Sequence, residues 1–147
     1  MSEEGEKPEE VRTIVVNPED DPKTKPLYQM DVDPVVGWLV CVRGAYKGEA
    51  FTIFPGRNTI GRALGMRIAL REEQSVSRDT HAALTFDPDS CCFFLTPGSG
   101  TALSYVNGTV LLNPQQLSAY DRVRFGKAEF VFIPLCGEKF DWAEFED

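Results

Sequence analysis

His81-Ala82-Ala83-Leu84-Thr85-Phe86, then Asp87-Pro88-Asp89-Ser90, then Cys92-Phe93-Phe94-Leu95: two short apolar runs face each other across four turn-forming residues. Asp and Ser side chains bond to nearby backbone, and Pro presets φ, so the middle segment reverses the chain. The flanking runs are too short for stable helices and rich in strand-favouring side chains. The stretch reads as a β-hairpin.

The same pattern extends outward in both directions. Asn107-Gly108 is the strongest hairpin turn in the chain, because Asn and Gly tolerate the positive φ that tight hairpins require. Trp38–Val42 reads as a buried strand, Gly44–Gly48 as a hairpin loop and Ala50–Ile53 as the return strand. Pro55-Gly56 turns the chain into Asn58–Gly61, and Met66–Leu70 is short and alternating. Arg122–Phe125 alternates Arg outward and apolar inward, and Glu129–Ile133 does much the same. Roughly ten short strands with frequent turns predict an all-β sandwich. No stretch of helical period competes inside the domain.

Three segments follow from composition. Residues 1–34 carry ten acids and four bases, lack sustained periodicity and read as a disordered acidic tail. A short β-prone island, Val11–Val16, interrupts it. Residues 35–135 carry eight acids and ten bases and form the sandwich. Residues 136–147 are acidic and aromatic, and Phe140–Phe145 is expected to fold back onto the domain. A mildly basic core between acidic tails argues against a nucleic-acid partner, which needs a concentrated basic face. The same core can attract an anionic ligand.

No run approaches the length of a membrane span, and the acidic N-terminus lacks the apolar region of a secretory signal, so the expectation is a cytoplasmic protein with no membrane partner. Cys41, Cys91, Cys92 and Cys136 include no C-x-x-C pair and the chain has one His, so no metal site and no cofactor are expected. The four cysteines read as reduced thiols used mainly in packing.

Three loop segments carry the candidate chemistry. Gly61-Arg62 ends a strand with a residue that turns freely and a guanidinium that can fork onto an oxyanion. Ser77-Arg78 precedes a strand and puts a hydroxyl beside a second guanidinium, with His81 close behind. Pro97-Gly98-Ser99-Gly100-Thr101-Ala102-Leu103 is a glycine-rich loop running into the Asn107-Gly108 hairpin. Ser77, Asp79 and His81 invite a triad reading. No G-x-S-x-G elbow is present, however, and triads gather their members from distant segments, so no enzyme is expected.

In this order on this strand pattern, the three segments resemble the forkhead-associated (FHA) domain. The resemblance covers about residues 36–134. It rests on Gly61-Arg62, on Ser77-Arg78 with His81, on Gly98-Ser99 followed by Val106-Asn107-Gly108, and on Leu117, Asp121, Val123 and Gly126. It implies an FHA-type sandwich of about eleven strands that reads phosphothreonine with loops at one end. By resemblance, Arg62 contacts phosphate or peptide backbone, Ser77 bonds to phosphate, and Arg78 holds backbone or phosphate. Thr101 lines the phosphothreonine. Gly61, His81, Asn107 and Gly108 support the loops. Small single-domain members with a phosphorylatable N-terminal Thr occur in bacterial Ser/Thr-kinase signalling. The implied partners are therefore a phosphothreonine protein, or this chain's own tail, and a Ser/Thr protein kinase.

Two departures from the family pattern matter. Three residues rather than two separate Ser77 from His81, so the loop must bulge. Ala102 stands where the family has an Asn whose amide grips the peptide main chain. This second departure keeps a phospho-independent FHA-like scaffold as the alternative. Thr13, followed by Ile14-Val15-Val16, is the favoured phosphosite in the tail, and Thr24, between Lys23 and Lys25, is its rival.

Overall fold

The computed structural model describes residues 33–145. Val11–Val16, Thr13 and Thr24 lie outside the described residues.

The described residues form eleven strands in order: β1 Gly37–Arg43, β2 Ala50–Ile53, β3 Gly56–Gly61, β4 Ile68–Ala69, β5 Ala82–Asp87, β6 Cys92–Pro97, β7 Ser104–Val106, β8 Thr109–Val110, β9 Gln115–Leu117, β10 Arg122–Phe125 and β11 Ala128–Pro134. They form two sheets, one of order β9-β6-β5-β3-β4 and one of order β2-β1-β11-β10-β7-β8. The hairpin read from the sequence is β5–β6, in register from Ala82↔Pro97 to Asp87↔Cys92. The Asn107-Gly108 turn joins β7 to β8, with φ of 50° and 84° at its two residues.

Two elements differ from expectation. Of Met66–Leu70, only Ile68 and Ala69 pair, parallel to β3. The preceding donors are already taken: Met66 N–H by the Ala63 carbonyl (3.1 Å) and Arg67 N–H by Thr59 Oγ1 (3.1 Å). Conversely, Gln115-Gln116-Leu117 has no apolar pattern, yet it pairs with Phe93–Leu95 as an edge strand. Tertiary hydrogen bonding decides both cases over local propensity.

Alternation sorts each strand into core and surface. Leu39, Cys41, Phe130, Phe132, Val123 and Phe125 of one sheet face Ile60, Leu84, Phe86, Phe93 and Leu95 of the other, all buried. Phenylalanines join the layers: Phe93 meets Phe86 at 4.8 Å and Phe132 at 4.7 Å between centroids. Asn58 is fully buried within this core. Its Oδ1 accepts from Phe54 N–H (3.0 Å), and its Nδ2 donates to the carbonyls of Phe54 (2.8 Å) and Leu84 (3.0 Å).

The aromatic tail folds back. Trp142 opens a short 3-10 helix, Trp142–Phe145, and its Nε1 donates to the Val35 carbonyl at 2.7 Å. Phe140 and Trp142 pack against the core edge. The four cysteines are free thiols, with Cys41 and Cys136 buried. Burial pushes Cys136 up to about 11, and burial together with the Asp141 carboxylate raises Cys91, so these two thiols stay protonated at neutral pH. Among the described residues, no helix is long and apolar enough to cross a membrane.

Asn58→Ala removes a side chain that satisfies backbone groups at a buried turn. Each orphaned buried group costs about 1–3 kcal/mol. Urea unfolding should show a lower midpoint at unchanged slope, whereas an unchanged midpoint would mean that water takes over the bonds.

Candidate functional site

The three candidate segments converge at one end of the sandwich, and His81 joins them. Its backbone N–H donates to the Ile60 carbonyl (2.7 Å), and its carbonyl accepts from Gly98 N–H (3.0 Å). Its Nδ1 accepts from Ser77 N–H (3.0 Å), and Nε2 lies 2.9 Å from the Leu103 carbonyl. A ring nitrogen facing an N–H donor must be unprotonated, and one facing a carbonyl must carry the proton. The pairings therefore assign the neutral Nε2–H tautomer. One buried residue thus ties together the end of β3, the 75–81 loop and both ends of the 98–103 loop, through its backbone to Ile60 and Gly98 and through its ring to Ser77 and Leu103. Phe125 contacts the ring edge at 5.7 Å between centroids.

Arg62 lies alongside the 75–81 loop. Its N–H donates to the Ser77 carbonyl (2.9 Å), and Ala63 N–H donates to the Arg78 carbonyl (2.9 Å). The Arg62 side chain donates through Nε to the Val76 carbonyl at 2.7 Å. Among the described residues, its terminal nitrogens, the Ser77 hydroxyl and the Arg78 guanidinium have no protein partner. Arg62 and Ser77 are half-buried and Arg78 is exposed. Two guanidinium groups and a hydroxyl on adjoining, hydrogen-bonded segments suit an anion with several acceptor oxygens.

Thr101 and Ala102 are exposed on the glycine-rich loop, whose ends are fixed by His81. Leu103 is 48% exposed, and Leu64, on the loop after Arg62, is 73% exposed. Asn107 supports the far end of β7. Its Nδ2 donates to Asp121 (3.0 Å) and its Oδ1 accepts from Arg122 N–H (2.9 Å), so it braces the hairpin turn rather than the loop cluster.

The backbone of residues 79–81 packs closely against two glycines. A Cβ on Gly61 would collide with the Asp79 carbonyl, and one on Gly98 would collide with the carbonyls of Thr80 and His81. Both positions require glycine because of what sits on them. The base of the loop is tied by a chain that the sequence gives no sign of. Buried Glu73 accepts from Ala45 N–H (2.9 Å) and from the Ser75 hydroxyl (2.8 Å), and Ser75 Oγ accepts from Lys127 N–H (2.7 Å). The supporting carbonyls of Val76 and Leu103 were equally invisible, since their role is backbone chemistry. The only available signal was their position beside Ser77 and Ala102.

The geometry leaves no catalytic triad. His81 bonds to the Ser77 amide rather than to its hydroxyl, both ring nitrogens are occupied by backbone groups, and Asp79 makes no hydrogen bond to the ring. No base is positioned to activate the Ser77 hydroxyl. The molecule is a β-sandwich that presents these loops at one end.

Residues 58–126 match the sequence profile of the FHA domain. Comparison with curated proteins gives no match. Among solved structures, the FhaA FHA domain in complex with the intracellular domain of Rv3910 is 25% identical, with a TM-score of 0.56 over 65% of this chain and 98% of that one. An FHA domain from work on phosphothreonine-dependent interactions is 24% identical, with a TM-score of 0.57 over 67% and 95%. The N-terminal FHA domain of S. cerevisiae RAD53P in complex with a phosphothreonine peptide is 16% identical, with a TM-score of 0.61 over 72% and 97%. The chain shares the fold of these FHA domains, and its residues 58–126 match that family's profile. FHA domains are non-catalytic interaction modules and generally bind phosphothreonine peptides.

His81→Ala should orphan Ser77 N–H and the Leu103 carbonyl, at about 1–3 kcal/mol each. Chemical denaturation gives the loss in stability. Hydrogen exchange at the Ser77 amide should accelerate more than at β1 amides, and equal acceleration would deny His81 a local bracing role.

Proposed function

We propose that this domain binds phosphothreonine peptides at the loop end, with Arg62, Ser77 and Arg78 holding the phosphate and Thr101 lining the phosphothreonine. The observation that carries the reading is the hydrogen-bonded juxtaposition of the Arg62 and Ser77-Arg78 segments, held by His81. A phosphothreonine carries close to two negative charges and three acceptor oxygens, which two guanidiniums and a hydroxyl can share. The partner is a phosphothreonine protein made by a Ser/Thr kinase. The same site can read the chain's own tail phosphorylated at Thr13, with Thr24 as the rival. The 21 residues between Thr13 and the domain, 14–34, reach about 70 Å at roughly 3.3 Å each. Tethering then supplies an effective concentration in the millimolar range.

The alternative is a phospho-independent scaffold, favoured by Ala102, whose methyl cannot grip a peptide main chain. Calorimetry with one peptide in phosphorylated and plain forms separates the two, and equal affinities favour the scaffold.

Ser77→Ala should weaken the phosphopeptide about tenfold or more, because a hydrogen bond to a charged group contributes about 1.5–3 kcal/mol, while thermal stability stays constant. Arg62→Ala should weaken it as much and also lose the Nε bond to Val76, worth about 0.5–1.5 kcal/mol of stability. Unchanged affinity in both variants would remove these groups from the site.

Ala102→Asn should strengthen binding by up to about tenfold by adding one side-chain-to-backbone bond. Weaker binding would mean the peptide takes another path. For the tail, NMR before and after phosphorylation of Thr13 should show shifts around Arg62, Ser77 and Thr101. Their absence, or a competing phosphopeptide that binds both forms equally, would sink the self-recognition.

A further inference from the structure

The outer face of the six-stranded sheet carries a feature that phosphopeptide binding does not use. Because Leu39, Cys41, Phe130 and Phe132 point into the core, Trp38, Val40 and Val42 of β1 and Val131 and Ile133 of β11 point outward. Register places Trp38 opposite Ile133 and Val40 opposite Val131, so the five form one continuous apolar stripe. Among the described residues, no third layer of strands or helices is packed on it.

The stripe has a basic rim. Arg122 and Arg124 project from β10 on one side, Arg43 ends β1, and Lys47 lies in the loop that follows it. A groove of about 420 Å³ is lined by Val42, Arg43, Lys47, Arg122 and Val131. It shares Arg122 with a second, of about 380 Å³, bounded by Tyr105, Arg124 and Glu129. The one carboxylate here, Glu129, is already shared by Arg43 (2.9 Å) and Arg122 (2.7 Å). Four cations against one acid leave a net charge of +3 around an apolar floor.

The sequence of this chain contains the complement. Glu9-Glu10 and Glu19-Asp20-Asp21 bracket Val11–Val16, whose only charge is Arg12, so residues 9–21 carry five acids and one base, a net −4. The described chain begins at Asp33, which pairs with Arg67 (2.7 Å), and four residues later enters β1, the strand that supplies Trp38, Val40 and Val42. The sixteen residues 17–32 extend to about 50 Å at roughly 3.3 Å each, far more than this face requires.

We infer that unphosphorylated residues 11–16 dock on this face, with Ile14 and Val16 on the Trp38–Val40–Val131–Ile133 floor and the flanking acids toward the basic rim. In an extended segment Ile14 and Val16 share one side, and Thr13 lies on the other, open to a kinase. The sheet face and the loop end are then alternative seats for one segment, with phosphate selecting between them. The seat on the sheet does not depend on the loops binding phosphothreonine.

The test compares amide and indole NMR shifts of the full chain with those of Ile14→Glu combined with Val16→Glu, a change confined to the tail. The shift changes at Trp38, Val40, Val131, Ile133 and the Trp38 indole should exceed those at Arg62, Ser77 and Thr101 several-fold, and should not change on dilution. Three outcomes overturn the inference. An unmoved sheet face means the segment does not dock there. Changes that vanish on dilution make the occupant a second copy. Changes confined to the loop end put the unphosphorylated segment at the loops. A phosphopeptide titration of the same two proteins reports on the loop site separately, so failure of one reading is distinguishable from failure of the other.

Discussion

Everything at the loop end depends on one neutral imidazole. The His81 backbone is fixed to Ile60 and Gly98, and its ring spans from Ser77 to Leu103. The ring is 2% exposed, so its bonds are made in a medium where an unpaired donor or acceptor is costly. That cost makes the arrangement of the loops specific. Any displacement of the 75–81 loop relative to the 98–103 loop orphans a buried group. Of the groups expected to meet ligand, Arg62 shares this load through its bonds to the Ser77 and Val76 carbonyls. Among the described residues, the side chains of Ser77, Arg78 and Thr101 make no hydrogen bond.

The loops are held by packing as much as by hydrogen bonds. Gly61 and Gly98 present bare backbone to the carbonyls of residues 79–81, while Glu73 and Ser75 anchor the loop base to the neighbouring hairpins. A site held this way loses little freedom on binding. More of its interaction energy then appears as affinity.

Much of this was legible in the sequence, and the parts that were not share a cause. The β5–β6 hairpin and the Asn107-Gly108 turn are local, encoded by residues that bend the chain for their own chemical reasons. Gly61-Arg62, Ser77-Arg78 and His81 could be singled out because residue type and order carry the family pattern. Edge strand β9 could not, because Gln115 and Gln116 are extended by Phe93–Leu95 rather than by their own propensity. Nor could the Glu73–Ser75–Lys127 chain, or the carbonyls of Val76 and Leu103. Those contacts are made through backbone atoms that every residue possesses, or by polar side chains whose burial is decided far away in sequence. The close contacts of Gly61 and Gly98 with the carbonyls of residues 79–81 were not readable either, because they are set by packing between distant segments.

The bond from Trp142 to the Val35 carbonyl has a mechanical corollary. It joins the two ends of the described chain at the end of the sandwich where Gly37 pairs with Pro134, away from the loops beside Ala82 and Phe125. Tension between those ends would first pull open the indole clasp and then load the β1–β11 ladder from one side. Its rungs would part in succession, like a zipper, instead of resisting together in shear. The recognition loops sit beyond the last rung, so a force carried through the termini reaches them only after that ladder has opened.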